Sequence, residues 1–194
     1  MAEGEAVTVR DQLMAVARDM LQRRGFNAFS FRDLAAATGI KSASVHYYFP
    51  TKQDLGIDLV RDYAATVAEV LDGLDHSTDL SPEARLRAFF GLFSETAAAG
   101  DRICLVGMLA SDFETLGEDL RGEVRAFFTM VESWLARQMG AMNRSLRPAE
   151  RRRLAGTAMA ALEGALLASR LFAQPNRVGD AGDAILEMVK RAKP

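Results

Sequence analysis

Apolar residues recur along the chain at the three-to-four-residue spacing of amphipathic helices, and no segment shows the strict alternation of a strand. The apolar positions of the first such stretch are Val9, Leu13, Val16, Met20 and Leu21. Thr8 and Asp11 have the spacing of a capping box before this stretch, and Gly25 follows it as a stop signal. The pattern therefore predicts a first helix between Thr8 and Gly25.

The capping-box spacing occurs twice more, at Ser30–Asp33 and at Thr51–Asp54. The first box opens a short helix that ends just before Gly39, and a second short helix is expected over about 41–48. Pro50 interrupts the chain before the next box, which opens a long helix. Two short helices joined by a tight turn that contains glycine indicate a helix-turn-helix.

The rest of the chain also has helical periodicity. Residues 75–80 have loop composition, and Ser81-Pro82-Glu83 combines a cap, a first-turn proline and an acid that faces the helix dipole. The later apolar stripes are Leu86, Phe89, Phe90, Phe93 and Ala97; Leu120, Val124, Phe127, Val131, Trp134 and Leu135; residues 154–172; and Ala181, Ile185, Met188 and Val189. The sequence predicts an all-α fold of about nine helices with no sheet.

Charge is distributed unevenly along the chain. The net charge is −2, yet residues 23–53 carry five cations against Asp33 alone, which leaves +4 there and −6 elsewhere. A local basic face on an acidic protein is typical of a DNA-contacting segment.

Composition also limits the other classes of function. Cys104 is the single cysteine and there are two histidines, so we expect no disulfide, no metal site and no cofactor. The longest weakly polar stretch, residues 155–168, is 14 residues long, short of the roughly 20 that a membrane helix needs. Residues 1–9 lack the cationic and apolar runs of a signal peptide, so a cytoplasmic protein without membrane partners is expected.

Residues 30–49 have the chemistry of a DNA-reading element. Leu34, Ala35 and Val45 are placed to pack inward, Ile40 fills the space between the two helices, and the small residues at 35–37 allow close approach. The outer side of the second helix offers hydrogen-bond donors at Lys41, Ser42, Ser44, His46 and Tyr48. An ordinary helical hairpin with solvated charges fits the same pattern.

A family resemblance separates these alternatives. Gly39-Ile40 followed by Val45-His46-Tyr47-Tyr48-Phe49-Pro50-Thr51-Lys52 and Leu55 resembles the TetR family of transcriptional regulators, as do Gly25-Phe26 and residues 30–35. The resemblance covers about residues 8–60. It implies a DNA-binding domain at 1–52, followed by a helical ligand-binding and dimerisation domain at 53–194.

The resemblance also implies roles for individual residues. Ser30 and Arg32 correspond to backbone and occasional base contacts, the base-facing positions are Lys41, Ser42, Ala43 and Ser44, and the phosphate contacts are His46, Tyr48 and Lys52. His46 replaces the family's usual tyrosine, so Tyr47 is an equal candidate for the phosphate contact. On this basis Lys52→Ala is expected to weaken specific and random DNA alike and to lower the salt slope by about one.

Family members are homodimers, and this chain has features that fit. Small residues recur every fourth position at Gly156, Ala160, Gly164 and Ala168, a ridge that lets a partner helix come close. We expect these residues to form the dimer interface together with Ile185, Met188 and Val189. The alternative is the central helix of a monomer core. A two-fold dimer requires a near-palindromic operator.

The resemblance further implies a cavity for a small hydrophobic or amphipathic effector. Its candidate lining residues are Tyr63, Phe90, Phe93, Cys104, Met108, Phe113, Phe127, Met130 and Trp134. Met and aromatic stripes of this kind also occur as plain core. Repression relieved by the effector is the family's commoner mode.

Cys104 lies in a run, residues 102–109, that resembles one in a TetR subset with sensors of electrophiles or unsaturated acids. Arg102 is close enough in sequence to lower the thiol pKa, which makes Cys104 a candidate electrophile sensor. The alternative is a small buried hydrophobe.

No catalytic motif is present, so we expect no enzyme. The remaining alternative to a regulator is a DNA-architectural protein without sequence preference.

Overall fold

A computed structural model describes residues 8–192, and within them it contains nine α-helices and no strand. The helices are α1 (Val9–Arg24), α2 (Phe31–Thr38), α3 (Ser42–Tyr48), α4 (Lys52–His76), α5 (Pro82–Ala98), α6 (Leu105–Ser111), α7 (Glu118–Met142), α8 (Pro148–Phe172) and α9 (Asn176–Arg191). Single 3₁₀ turns lie at Phe26–Ala28 and Phe113–Thr115. The predicted all-α fold of about nine helices is confirmed. The first seven residues of the predicted 1–52 domain lie outside the described part.

Three of the first four helices begin at a complete capping box, as the sequence predicts. In α1, α2 and α4 the N-cap hydroxyl accepts from the backbone N–H three residues on, and the aspartate there accepts from the N-cap N–H. The pairs are Thr8–Asp11, Ser30–Asp33 and Thr51–Asp54. These contacts satisfy donors that a helix start otherwise leaves unpaired.

The turn between α2 and α3 depends on Gly39. Its φ of 73° lies in the left-handed region, where a side chain is disfavoured. The turn packs α3 on α2 through the fully buried Leu34 and Val45, with Ala35 buried beside them. Ala36 and Ala37, which were expected to allow close approach, are instead exposed. Only Ala35 of the three alanines therefore lies in this contact.

The remaining helices continue the same hydrophobic core, which extends from Leu34 and Val45 to Trp134 and Leu162. Helix α8 packs against α7 and α9, while α5 packs against α7, α9 and α8. Trp134 is buried on α7, and its Nε1–H donates to the Asp75 carboxylate at 3.0 Å. None of the helices described is long and apolar enough to cross a membrane.

Candidate DNA-binding face and effector cavity

The outer surface of α3 is polar and accessible. Lys41, Ser42, Ala43 and Tyr47 are exposed, and Ser44 is partly exposed. Tyr47 is 81% exposed, the largest value among the exposed large hydrophobic residues. The residues predicted to face bases therefore lie on one accessible surface.

The aromatic residues at the end of α3 differ in what they contact. The His46 ring packs edge-on against Phe31, 4.9 Å between centroids, and its Nδ1 lies 3.5 Å from the Pro50 carbonyl oxygen. Tyr48 is partly buried and meets Tyr47 edge-on at 5.1 Å. Of the two tyrosines, the geometry favours Tyr47 for a phosphate contact, because its ring is open to solvent.

The cations of the basic segment are used in different ways. Arg23 pairs with Asp19 at 2.9 Å and also with Asp101. In contrast, no described carboxylate pairs with Arg24, Arg32 or Lys41, all of which are exposed. Three of the five predicted cations thus remain open to DNA.

Lys52 has a different environment from the one its predicted phosphate contact requires. Its ammonium donates to the carbonyl oxygens of Phe26 and Phe29 and lies 4.7 and 4.4 Å from the centroids of their rings. Burial lowers the pKa of Lys52. In this structure the side chain holds the 3₁₀ turn against the start of α4. We therefore expect Lys52→Ala to lower the stability of the protein and to leave the salt slope of DNA binding unchanged.

Ser30 also has a local role. Its hydroxyl donates to the Asp33 carboxylate at 2.7 Å and accepts from the Asp33 N–H at 3.3 Å. The side chain thus caps α2, and one remaining lone pair is what it has to offer a DNA group.

The DNA-binding helices are fastened to the rest of the chain through the 3₁₀ turn at Phe26–Ala28. Asp112, just after α6, accepts from the backbone N–H groups of Phe26 at 2.9 Å and of Asn27 at 3.4 Å. The Asn27 amide also donates to Thr115 at 2.9 Å. These hydrogen bonds join the end of α6 to the segment before α2. The predicted boundary at 52/53 falls directly after the first residue of α4. Helix α4 contacts α1 on one side of this boundary and α5, α6 and α7 on the other.

An interior cavity of about 50 Å³ lies among α4, α5, α7 and α8. It is lined by Tyr63, Val67, Phe89, Leu92, Phe93, Thr96, Cys104, Phe127, Val131, Met159 and Leu166. Two larger depressions on the surface, one between α1 and α4 and one between α4 and α7, are lined largely by charged side chains. A third, which we call the outer groove, is mostly apolar but more open than the interior cavity, and it is lined by Ile103, Gly107, Met108, Ala110, Ser111, Phe128, Glu132, Gly156, Met159, Ala160, Glu163 and Leu167. The interior cavity is therefore the candidate effector site, because such sites are enclosed and mostly apolar.

Four of the nine predicted lining residues meet at this cavity: Tyr63, Phe93, Cys104 and Phe127. The other five, Phe90, Met108, Phe113, Met130 and Trp134, do not line it. The ring of Phe90 faces Gly182 of α9, and Trp134 binds Asp75. Phe113 is 41% exposed and stacks under Arg121. Met108 borders an outer groove, and Met130 is partly buried elsewhere on α7.

Sequence reasoning missed the residues that complete the α5 wall. Phe89, Leu92 and Thr96 share one face of α5, because they are three and four positions apart. The available signal was Thr96, a polar residue within an apolar stripe. Its hydroxyl donates to the Leu92 carbonyl at 2.9 Å.

Cys104 is buried in a small polar cluster at the cavity wall. The Tyr63 hydroxyl and the Glu163 carboxyl are the ionisable groups whose charge acts on this thiol. Burial, reinforced by the Glu163 charge, raises the pKa of Cys104 well above its ordinary value. Burial likewise raises the pKa of Tyr63 and of Glu163.

The expected activation of Cys104 by Arg102 is wrong. The Arg102 guanidinium donates to the Asp19 carboxylate on α1 at 2.8 Å and is 46% exposed. It therefore pairs with another acid outside the cavity and does not favour a thiolate.

Comparison with known proteins places the chain. Residues 13–58 match the family of bacterial regulatory proteins described as the tetR family, and residues 82–181, more than half of the chain, match the LmrA/YxaF-like transcriptional regulator C-terminal domain. The chain belongs to the TetR family of transcriptional regulators. The predicted family and the prediction that the chain is not an enzyme are confirmed.

Individual TetR-family proteins show the extent of the similarity. A TetR transcriptional regulator from Legionella pneumophila superposes with a TM-score of 0.86 at 30% identity, over 96% of this chain and 99% of that one. The transcriptional regulator AcuR of Cereibacter sphaeroides is 28% identical over 69% of this chain and 60% of its own length. The transcriptional repressor KstR2 of Mycolicibacterium smegmatis is 35% identical over 28% of this chain and 26% of its own length. The match thus spans less than two thirds of these curated relatives.

The predicted TetR-type dimer surface is accessible in part. Ala160 and Gly164 are exposed, Gly156 and Ala168 are partly exposed, and Met188 is 45% exposed. The prediction is wrong for Ile185 and Val189, which are 4% and 0% exposed within one protomer.

Helix α8 also exposes two apolar residues that the predicted dimer interface did not include. Leu167 and Leu171 are 55% and 77% exposed and continue the line of Ala160 and Gly164. We call Ala160, Gly164, Leu167 and Leu171 the α8 stripe.

Proposed function

We propose that this chain is a homodimeric repressor that binds a near-palindromic operator through α2 and α3. A small hydrophobic or amphipathic effector in the interior cavity releases it. The single observation that carries DNA binding is the exposed surface of α3, which offers hydrogen-bond donors beginning at Lys41, in a segment whose cations Arg24 and Arg32 are also exposed and have no carboxylate partner among the described residues. Polar donors read base edges and cations hold phosphates. We also propose that the protein acts in the cytoplasm, where operator DNA is accessible.

The α8 stripe supports the homodimer. Exposed apolar residues in a row are unusual on a monomer and mark interaction sites. A two-fold axis at this stripe presents two copies of α3, which half-sites about 34–36 Å apart on one face of DNA require.

The DNA-binding proposal is tested with duplexes that the full-length protein selects from random sequence. In anisotropy titrations, Arg32→Ala should weaken binding and lower the salt slope by about one. The matched control is Arg144→Ala, an exposed arginine between α7 and α8, which should leave both unchanged. If random duplexes bind as tightly as selected ones, the protein is an architectural DNA-binding protein and the repressor proposal fails.

The dimer is tested by sedimentation equilibrium. Leu171→Glu should dissociate the dimer, because it places a charge in an apolar contact. Val9→Glu is the matched control, since Val9 is exposed at the start of α1. A Leu171→Glu variant that stays dimeric would place the interface elsewhere.

Effector-driven release is tested by filling the cavity. Phe93→Trp should retain operator binding but no longer respond to a compound that releases the wild type. Phe113→Trp, at an exposed position outside the cavity, should respond normally. Release of Phe93→Trp at the wild-type concentration would show that the effector binds elsewhere.

A second candidate is that Cys104 itself reacts with an electrophile, which the location of its thiol on the cavity wall favours. The sulphur would bond to the β-carbon of an unsaturated carbonyl compound and the thiol proton would end on the α-carbon. The raised pKa predicts slow reaction at neutral pH. If Cys104→Ser still loses operator binding on treatment with the electrophile, this candidate is excluded.

A further inference from the structure

The carbonyl groups at the end of α1 are hydrogen-bonded by groups from distant parts of the chain. A helix end leaves its last carbonyl oxygens without partners inside the helix. The backbone oxygen of Gln22 accepts from the Ile103 N–H at 3.1 Å. The backbone oxygen of Arg23 accepts from the Arg170 guanidinium at 2.9 Å. The end of α1 is thus completed by the segment before α6 and by α8.

Gln22 and Ile103 are joined by two hydrogen bonds. The side-chain amide of Gln22 donates to the Ile103 carbonyl oxygen at 3.2 Å, so each residue both donates to the other and accepts from it. Ile103 is 4% exposed. Loss of the pair would therefore leave buried backbone groups without partners, which costs free energy.

Two ion pairs connect the same segment to α1. Asp101 pairs with Arg23, and Arg102 pairs with Asp19 at 2.8 Å. Each of these side chains is partly exposed, so each ion pair alone stabilises the contact only slightly. Together with the hydrogen bonds at Ile103, they hold the last turns of α1 against residues 101–103, which we call the 101–103 segment.

The residue that follows the 101–103 segment lines the interior cavity. Cys104 is one of the cavity's lining residues, and α6 begins directly after it. The carbonyl group of Ile103 and the N–H of Cys104 belong to one peptide unit, which is planar and rigid. A displacement of the Cys104 backbone therefore also moves the carbonyl oxygen that accepts from Gln22.

We propose that Gln22 is a positioning residue for DNA binding: its hydrogen bonds to Ile103 hold the end of α1 in the operator-binding orientation, and an occupant of the cavity that displaces Cys104 loosens them. The inference rests on the proposed effector response and names the contact that carries it. The operator and the occupant then favour opposite states of this contact, and such coupling is reciprocal. Operator binding therefore changes the cavity wall, which allows a test with DNA alone.

The probe is a duplex that the full-length protein has selected from random sequence. In the wild type it should slow amide hydrogen exchange of Ile103 by at least about fivefold, the lower end of typical allosteric coupling. The same addition should shift the ¹³C-methyl signal of Met159, which lines the cavity. Met142, at the end of α7, is the internal control and should keep its signal position.

Gln22→Met removes the side-chain donor but keeps a side chain of similar length. The duplex should then no longer slow the exchange of Ile103 or shift Met159, and its binding should weaken by about twofold to tenfold, as expected for one neutral hydrogen bond. Gln12→Met makes the same change at an exposed position of α1 and should leave all three measurements at their wild-type values.

A second variant, Asp101→Asn, loosens the 101–103 segment at a partly exposed side chain and gives an answer even if Gln22→Met does not fold. It removes the ion pair with Arg23 and should reduce both responses to the duplex. A purely structural role of these contacts would lower stability in the two variants but leave the responses of Ile103 and Met159 unchanged.

Wild-type responses in both Gln22→Met and Asp101→Asn would overturn the inference and leave the proposed function standing, with α4 as the connection, because Tyr63 and Val67 of α4 also line the cavity. Responses that random duplexes cause equally, and that Gln22→Met abolishes, would support the inference and contradict the repressor proposal. If the selected duplex changes neither signal in the wild type, both are overturned.

Discussion

The helix-turn-helix, α2 and α3, and the helices α4–α9 differ in where some of their polar side chains lie. Around α2 and α3 the polar side chains either close a helix start, as Ser30 and Asp33 do, or remain in solvent, as Tyr47 does. In α4–α9 some polar groups lie inside the protein: Asp75 accepts from Trp134 and Gln138, whereas Oε1 of Glu163 has no donor among the described residues. The polar groups of the first region are therefore either hydrogen-bonded locally or accessible to solvent. The second contains a buried carboxyl oxygen without a hydrogen-bond donor among the described residues.

The largest expected effect is a loss of stability when the packing between α2 and α3 is weakened. Leu34 is fully buried between α2 and α3, so Leu34→Ala should cost about 2–5 kcal/mol of unfolding free energy. Urea denaturation measures this cost, and Val9→Ala at an exposed position should change it by less than about 0.5 kcal/mol. A small cost at Leu34 would mean that the α2–α3 contact is loosely packed.

The next effect concerns the connection between the two regions. Asp112→Ala removes the acceptor for the Phe26 and Asn27 N–H groups and should cost about 1.5–3 kcal/mol, the range for hydrogen bonds to a charged group. Hydrogen exchange of those two amides should accelerate. Glu114→Ala, at an exposed acid in the adjacent turn, should leave their exchange unchanged. Unaltered exchange in Asp112→Ala would show that the hydrogen bonds to Asp112 contribute no free energy.

Lys52 is expected to act as part of this connection and not as a phosphate contact. Lys52→Met keeps the apolar stem but removes the donor to Phe26 and Phe29, so it should lower stability by about 1–2 kcal/mol. The salt slope of DNA binding should stay at its wild-type value. Lys41→Ala, by contrast, should lower that slope by about one. A lower slope for Lys52→Met would restore the phosphate contact that the family resemblance implies.

The unpaired carboxyl of Glu163 should make stability depend on pH. Burial raises its pKa, so the folded state holds the proton more tightly than the unfolded chain does. This stabilisation is complete below the unfolded value of about 4.3 and is lost as the pH rises through the raised folded value. The unfolding free energy of Glu163→Gln minus that of the wild type should therefore grow with pH. A difference that does not change with pH would indicate that Glu163 is an ordinary, solvated carboxyl.

The smallest effect is expected on the surface between α1 and α4. Arg10 pairs with Asp58 at 2.7 Å, but both side chains are substantially exposed. Arg10→Ala should cost less than about 1 kcal/mol, since solvent screens such pairs. A larger cost in thermal unfolding would show that this pair fastens the two regions as firmly as Asp112 does.

Much of the fold could be predicted because its determinants are local. A capping box such as Thr51–Asp54 joins residues three positions apart, and Gly39 has the left-handed conformation that glycine adopts more readily than other residues. Periodicity identified the buried stripe of α5 but not which neighbour each ring meets. Phe89 lines the cavity, whereas Phe90, the next residue, faces α9.

The sequence by itself determined the helices, the helix-turn-helix and the polar residues of α3, because these depend on spacing along one helix. Only the tertiary structure decided that Ile185 and Val189 are core and that Leu171 is surface. Long-range packing also decided that the Lys52 ammonium donates to two carbonyl oxygens and that Oε1 of Glu163 has no donor among the described residues. These outcomes depend on which helices meet, and that information is spread over residues far apart in the chain.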